Sequence, residues 1–363
     1  MSTFSSLEVR KISETEVEIS AEVSAEHFTS YRPSAVKKLS QEVSIDGFRK
    51  GHIPEAVLVG KVGESVVLHE MAEAALSDVY PEILREKALK AIGAPKITLT
   101  KLAHGNPLGF KVEVTFLPEV ALPDYREIAK KIASLPREPI LVSDEETETI
   151  LTDLRKNWGK TEARGARQET RDKRQGDEEK ETEAPLPELT DAFAGKIGGF
   201  KTVAELRAKI AENLKEEKVA RQKEKKRAAL IDELLAKTPF PVPDMLVAAE
   251  KERMMAEFKG NITRMGVAPD EYFLKLKKTE DEMKKEWGDT AQKKVRIQII
   301  LDEIGEKEKL VPEEKEVQAE AERIMKAFPG ADRHRARSYV EGILGNEKVF
   351  EFFEEHGKSS TVE

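Results

Sequence analysis

The chain has 363 residues, 36% of them charged and 6% aromatic, and a net charge of −8 at neutral pH. That length suits two or three domains, and so polar a composition predicts a core spread thinly over long amphipathic helices. The acidic balance argues against a general nucleic-acid binder, the lack of cysteine excludes disulfides, thiol catalysis and zinc–thiolate sites, and the absence of a signal-peptide core or an 18-residue apolar run predicts a cytoplasmic protein outside the membrane.

Leu7–Ile12 and Glu16–Val23 read as a strand pair, with Val17, Ile19, Ala21 and Val23 alternating onto one face. Ser24 is positioned to cap a helix reaching about Val43, kinked or begun at Pro33. The pentapeptide Gly47-Phe48-Arg49-Lys50-Gly51 interrupts the helical pattern, and a short helix follows over Pro54–Lys61. A longer helix is expected from Glu64 to about Ala91, with Pro81 inside it as a kink or break. Strands Lys96–Leu102 and Phe110–Phe116, joined by His104-Gly105-Asn106-Pro107, complete the set. Residues 1–118 therefore predict an α+β domain with helices on one face of an antiparallel sheet.

Pro118, Pro123, Pro136 and Pro139 mark residues 119–142 as an extended linker. Ser143 and Glu146 form a capping-box pattern that opens a helix through Trp158. Lys160–Glu183 has only alanine and glycine as apolar members, so the 143–184 region is expected to be this helix followed by a disordered or solvated helical segment. Residues 185–363 predict a mostly α-helical, elongated domain with arm-like helices. One runs from the Thr202/Glu205 capping box to about Lys237, an arm of roughly 50 Å. The next carries Val247 to Met265. A capping box at Thr279/Glu282 begins a helix with Met283, Trp287, Ala291, Val295 and Ile299 on one face, and the last helix ends near Phe353.

The pentapeptide is the strongest candidate site. Glycine at each end permits sharp turns, which would push Phe48, Arg49 and Lys50 outward. Arginine gives bidentate recognition, lysine a point charge and phenylalanine an anchor, a set suited to a surface of phosphates or carboxylates with one apolar pocket. From Tyr31 to Lys61 the cations Arg32, Lys37, Lys38, Arg49, Lys50 and Lys61 outnumber Glu42, Asp46 and Glu55, six to three, so a local basic patch sits on an acidic molecule. The same spacing also suits an ordinary surface loop.

Catalytic chemistry has less support. The histidines form no i, i+4 metal pair, and Phe200 occupies the glycine a phosphate loop needs before Lys201. No catalytic residue, metal or cofactor is assigned. Met245, Met254, Met255, Met265 and Met283, with Phe258, fall on neighbouring helices and suit an adaptable peptide-binding surface. Filling the seams between helices is the alternative use for each of them.

These residues resemble the trigger factor family of ribosome-associated bacterial chaperones. The family's docking signature is Gly-Phe-Arg-x-Gly-Lys. Gly47, Phe48, Arg49 and Gly51 match it, Lys50 takes its variable position, and His52 replaces its last lysine. Pro118-Glu119-Val120 resembles the family's exit from its N-terminal domain, Leu186–Phe193 its entry to the helical body, and Ala291–Ile304 one of its arm helices. The resemblance implies docking beside the tunnel mouth of the large ribosomal subunit, on protein and RNA. It also implies ATP-independent shielding of unfolded or nascent polypeptides. DNA and membrane are not implied as partners, and a homodimer off the ribosome stays open. Typical members carry an FK506-binding-protein-like prolyl isomerase domain after the helix that begins here at Ser143, whereas this chain has the charged Lys160–Glu183 segment, so a short form without isomerase activity is expected. An isomerase and a non-ribosomal scaffold are the alternative functions.

Overall fold

The computed structural model describes residues 4–136, 139–170, 186–328 and 330–358. Strands β1 (Phe4–Lys11), β2 (Glu16–Val23), β3 (Ala91–Lys101) and β4 (Leu108–Phe116) form an antiparallel sheet in the order β1-β2-β4-β3. Along β2 every second residue is buried, the alternation expected when only one face meets a core. That face packs against α1 (Ala25–Ser30), α2 (Arg32–Glu42), α3 (Glu55–Val62) and α4 (Glu64–Glu86). Ile19, Val23, Phe110 and Val112 meet Phe28, Leu58, Val67, Ala75, Val79 and Ile83 in one buried cluster.

Local chemistry explains several boundaries. Ser24 Oγ accepts the His27 N–H at 3.3 Å and starts α1. The single helix expected over residues 24–43 is two, divided at Tyr31, with Pro33 in the first turn of α2 where its missing N–H costs nothing. The helix expected to run to Ala91 stops at Glu86. Ala88 takes φ 50°, and Lys87 and Leu89 donate to the carbonyls of Ile83 and Leu84 at 3.0 Å, closing the helix without glycine. Pro81 lies within α4 without ending it.

The extended linker expected over 119–142 contains a helix, α5 (Tyr125–Ala133). Asp124 accepts the Glu127 N–H at 2.9 Å, and Tyr125, Ile128, Ala129 and Ile132 are buried on one face. The Ser143/Glu146 capping box forms, with the Ser143 N–H donating to Glu146 at 2.9 Å and the Glu146 N–H to Ser143 Oγ at 3.2 Å. The helix it opens, α6 (Asp144–Thr170), extends past Trp158 into the charged segment. The rest of that segment lies outside the described residues.

Next come α7 (Asp191–Gly198), α8 (Val203–Lys237), α9 (Asp244–Arg264), α10 (Pro269–Leu276), α11 (Glu280–Glu286), α12 (Gly288–Glu308), α13 (Glu314–Ala327) and α14 (Arg333–Lys358). The capping box at Thr279 is present, but the helix it starts breaks at Trp287, so Met283 and Ala291 belong to separate helices.

The chain forms two compact units that interleave along the sequence. One comprises Met1–Pro123 with Leu234–Asn346, the other Asp124–Glu233 with Glu347–Glu363. In the first, Leu117 and Val120 pack with Val242, Val295 and Ile299, and Lys90 pairs with Glu303 at 3.1 Å. In the second, Leu151, Ala194, Leu206 and Ile210 form one cluster, and Phe353 meets Tyr125 edge to face with ring centroids 6.3 Å apart. There Arg227 is gripped by Glu347 at 2.6 and 2.7 Å and by Glu354 at 2.9 and 3.0 Å. The hydrogen bond from Arg227 holds the Glu347 carboxyl below the usual carboxylate range.

Candidate functional site

The loop between α2 and α3 forms a short tip. Gly47 and Gly51 take φ 87° and 81°, the left-handed region that residues with a Cβ rarely adopt, so both turns favour glycine. Three backbone hydrogen bonds brace the tip: Phe48 N–H to Ile45 at 3.1 Å, Gly51 N–H to Ser40 at 2.7 Å and His52 N–H to Arg49 at 3.0 Å. Its base is anchored by Val43 and Ile45, partly buried, and by Ile53, fully buried. Phe48 keeps 40% of its surface exposed. Arg49 and Lys50 are exposed beside it, and among the described residues neither makes an ion pair.

The basic patch divides into structural and available cations. Arg32 binds Glu55 at 2.6 Å and grips Glu64 with both terminal nitrogens. These hydrogen bonds push the Arg32 guanidinium up and hold the Glu64 carboxyl down. Lys38 pairs with Glu70. Arg32 thus ties α2 to α3 and α4, and Lys38 ties it to α4. Lys37, Arg49, Lys50 and Lys61 have no ion-pair partner among the described residues and remain available to an external anion.

The six apolar candidates of the helical region do not form one exposed surface. Met255 and Met283 are buried, filling seams between helices. Phe258 is half-buried at the centre of an aromatic cluster, 5.6 Å from Trp287, 5.8 Å from Tyr272 and 6.1 Å from Phe273. Met254 is half-buried, and Met245 lies against β3, where a Cβ on Gly93 would come within 2.7 Å of its sulfur. Of the six, Met265 is the most open, at 77% exposed. Leu274 on α10, Val311, Phe328 before the α13–α14 turn, and Tyr339 and Ile343 on α14 are exposed too, and sequence reading missed them. No periodic pattern singles them out: Val311 and Phe328 lie outside the helices, α10 buries no residue, and Tyr339 and Ile343 flank the buried Val340.

Among the described residues no three metal-ligating side chains gather, and no helix is long and apolar enough to cross a membrane.

Comparison with known proteins gives a consistent result. The family model of the bacterial trigger factor protein matches residues 5–154, and that of its C-terminus matches residues 202–351. The trigger factor of Streptomyces avermitilis is 27% identical, with the match covering 92% of this chain and 85% of that protein. The trigger factor of Caldicellulosiruptor bescii is 24% identical, covering 94% of each. A solved structure, described as promiscuous substrate recognition in folding and assembly activities of the trigger factor chaperone, aligns with TM-score 0.50 and 20% identity over 96% of this chain and 100% of that one. At that identity the structural likeness concerns the fold.

Proposed function

The chain belongs to the trigger factor family, and from that premise we propose that this chaperone docks at the exit tunnel of the large ribosomal subunit through Gly47–Gly51 and shields apolar segments of nascent polypeptides. The observation that carries the docking reading is the braced tip: Phe48 is held outward between two glycines, with Arg49 and Lys50 beside it and no internal partner for either among the described residues. Arg49 and Lys50 meet RNA phosphate or acidic protein groups, and Phe48 enters an apolar gap. A cytoplasmic location follows from that partner.

Client contact is assigned to the exposed apolar side chains of the helical region, Met265 and Leu274 foremost, rather than to the buried Met255 and Met283. Tethering raises the local concentration of these surfaces near the client, so individually weak contacts suffice without ATP. In pelleting with purified large ribosomal subunits, the chain is expected to co-sediment at low salt and to be released as salt screens the cationic contacts. A chain that stays in the supernatant at low salt contradicts docking.

We read the chain as a chaperone without isomerase activity. Between the two matched regions α6 continues to Thr170 and α7 begins at Asp191. The interval is much shorter than the about 40 residues below which a domain usually needs disulfides or metals, and the sequence has no cysteine. A proline-limited refolding assay is expected to show no acceleration by catalytic amounts of the chain, and clear catalysis contradicts this reading.

A further inference from the structure

The N-terminal domain has a second surface, at the edge of its sheet. β3 is an edge of the sheet, paired with β4 on one side, and among the described residues no strand lies on the other. In an antiparallel strand alternate residues turn their N–H and C=O to opposite edges, so an edge strand carries a row of backbone groups open to another chain. Register shifts between Ile92 and Lys96 and between Leu99 and Lys101 bracket a regular run from Lys96 to Leu99. Met245 lies against Gly93, ahead of that run.

Beside the run is a groove of about 380 Å³ between β3 and α4. Ile97 and Leu99, two residues apart and so on one face, form its strand wall, and Ala72, Leu76 and Tyr80 line its helix wall. Ile97 is 41% exposed, although it points to the face where the helices pack. Ser77 also lines the groove, and Pro81 has no N–H to give the Ser77 carbonyl four residues earlier. Lysines often blunt such edges, but here Lys96 is engaged with Glu113 at 3.0 Å and Lys101 with Glu22.

We propose that the outer edge of β3 and this groove accept an extended polypeptide segment as an added strand, with small aliphatic side chains at alternate positions. The paired requirement selects the occupant. An open backbone edge calls for a chain with its own unpaired amides, and a groove on one face of that edge calls for apolar side chains at every second residue. A helix docked in the groove would leave the edge unpaired. Recognition through backbone is tolerant of sequence, and it needs neither the ribosome nor the docking tip.

The test uses the full chain without ribosomes and an eight-residue peptide of alternating threonine and valine, with lysine at each end. Two twins carry N-methyl groups on odd or on even backbone nitrogens. The unmodified peptide is expected to bind and to slow amide exchange across Lys96–Lys101. One twin should lose affinity at least tenfold while the other retains it, because one edge of the peptide faces β3. Ile97→Glu should also cost at least tenfold while the sheet stays folded. The proposal is overturned if both twins bind as well as the parent peptide. It is equally overturned if exchange slows in the helices instead of β3, or if the groove is already filled by a second copy of the chain, seen as a dimer that Ile97→Glu dissociates. Should Ile97→Glu fail to fold, the twins still decide.

Discussion

Replacing Phe353 by alanine is expected to destabilise the unit formed by residues 124–233 and 347–363 by about 3–5 kcal/mol. Phe353 is 3% exposed, and its ring sits edge to face on Tyr125, the first residue of α5. It also lines a cleft with Ala129, Ile132 and Leu230, so truncation enlarges an existing hollow instead of letting the walls close. One turn further along α14, Gly357 meets α5 so closely that an added Cβ would stand 2.5 Å from the Ala133 Cβ. That contact leaves α5 little room to move inward and compensate. Hydrogen exchange checks the prediction: amides of α5 and of α14 beyond Glu347 should lose protection, while β2 and β4 keep theirs. Unchanged protection in α5 would show that Phe353 does not hold it.

Much of this architecture was legible in the sequence, for reasons that differ by element. The alternation of Val17, Ile19, Ala21 and Val23 fixes which face of β2 is buried, because a strand has only two faces. The caps at Ser24, Ser143 and Thr279 were legible because a side-chain oxygen three residues before an orphan N–H is a local matter. The end of α4 was hidden because an alanine, Ala88, takes the left-handed conformation usually given to glycine. α5 was overlooked for a different reason. Its signal is present in Asp124 followed by Tyr125, Ile128, Ala129 and Ile132, but the flanking prolines suggested an extended chain. The interleaved units depend on packing between segments far apart in the chain, which no local pattern encodes.

The site shows the same division. Glycines at 47 and 51 and the ring and cations between them predicted an outward tip, and the structure has one. That Arg32 and Lys38 spend their charge inside the domain was not legible, since their partners Glu55, Glu64 and Glu70 come from α3 and α4. The flexibility of methionine suits an adaptable surface, but periodicity tells which face of a helix is apolar and not what covers it. Met255 and Met283 turned out to be covered, whereas Met265 is open.

Replacing Phe48, Arg49 and Lys50 together by alanine is expected to cost about 4 kcal/mol of affinity for the large ribosomal subunit, roughly a thousandfold. In the proposed docking Phe48 is the anchor and the two cations make contacts that salt screens. None of the three belongs to the buried core, and Gly47, Gly51 and the three backbone hydrogen bonds that shape the tip do not involve the replaced side chains. Each replacement should therefore change fold stability by no more than about 0.5 kcal/mol, the usual range for a surface substitution, and the three together by no more than about 1.5 kcal/mol. A loss of binding can then be assigned to the tip's chemistry and not to its collapse.

The most direct measurement is equilibrium binding to purified large ribosomal subunits at low salt, with the unaltered chain and the triple alanine variant side by side and the melting temperature of each recorded. The docking account predicts tight, salt-sensitive binding by the unaltered chain and binding roughly a thousandfold weaker by a variant that stays folded. Equal affinity for both proteins would contradict it.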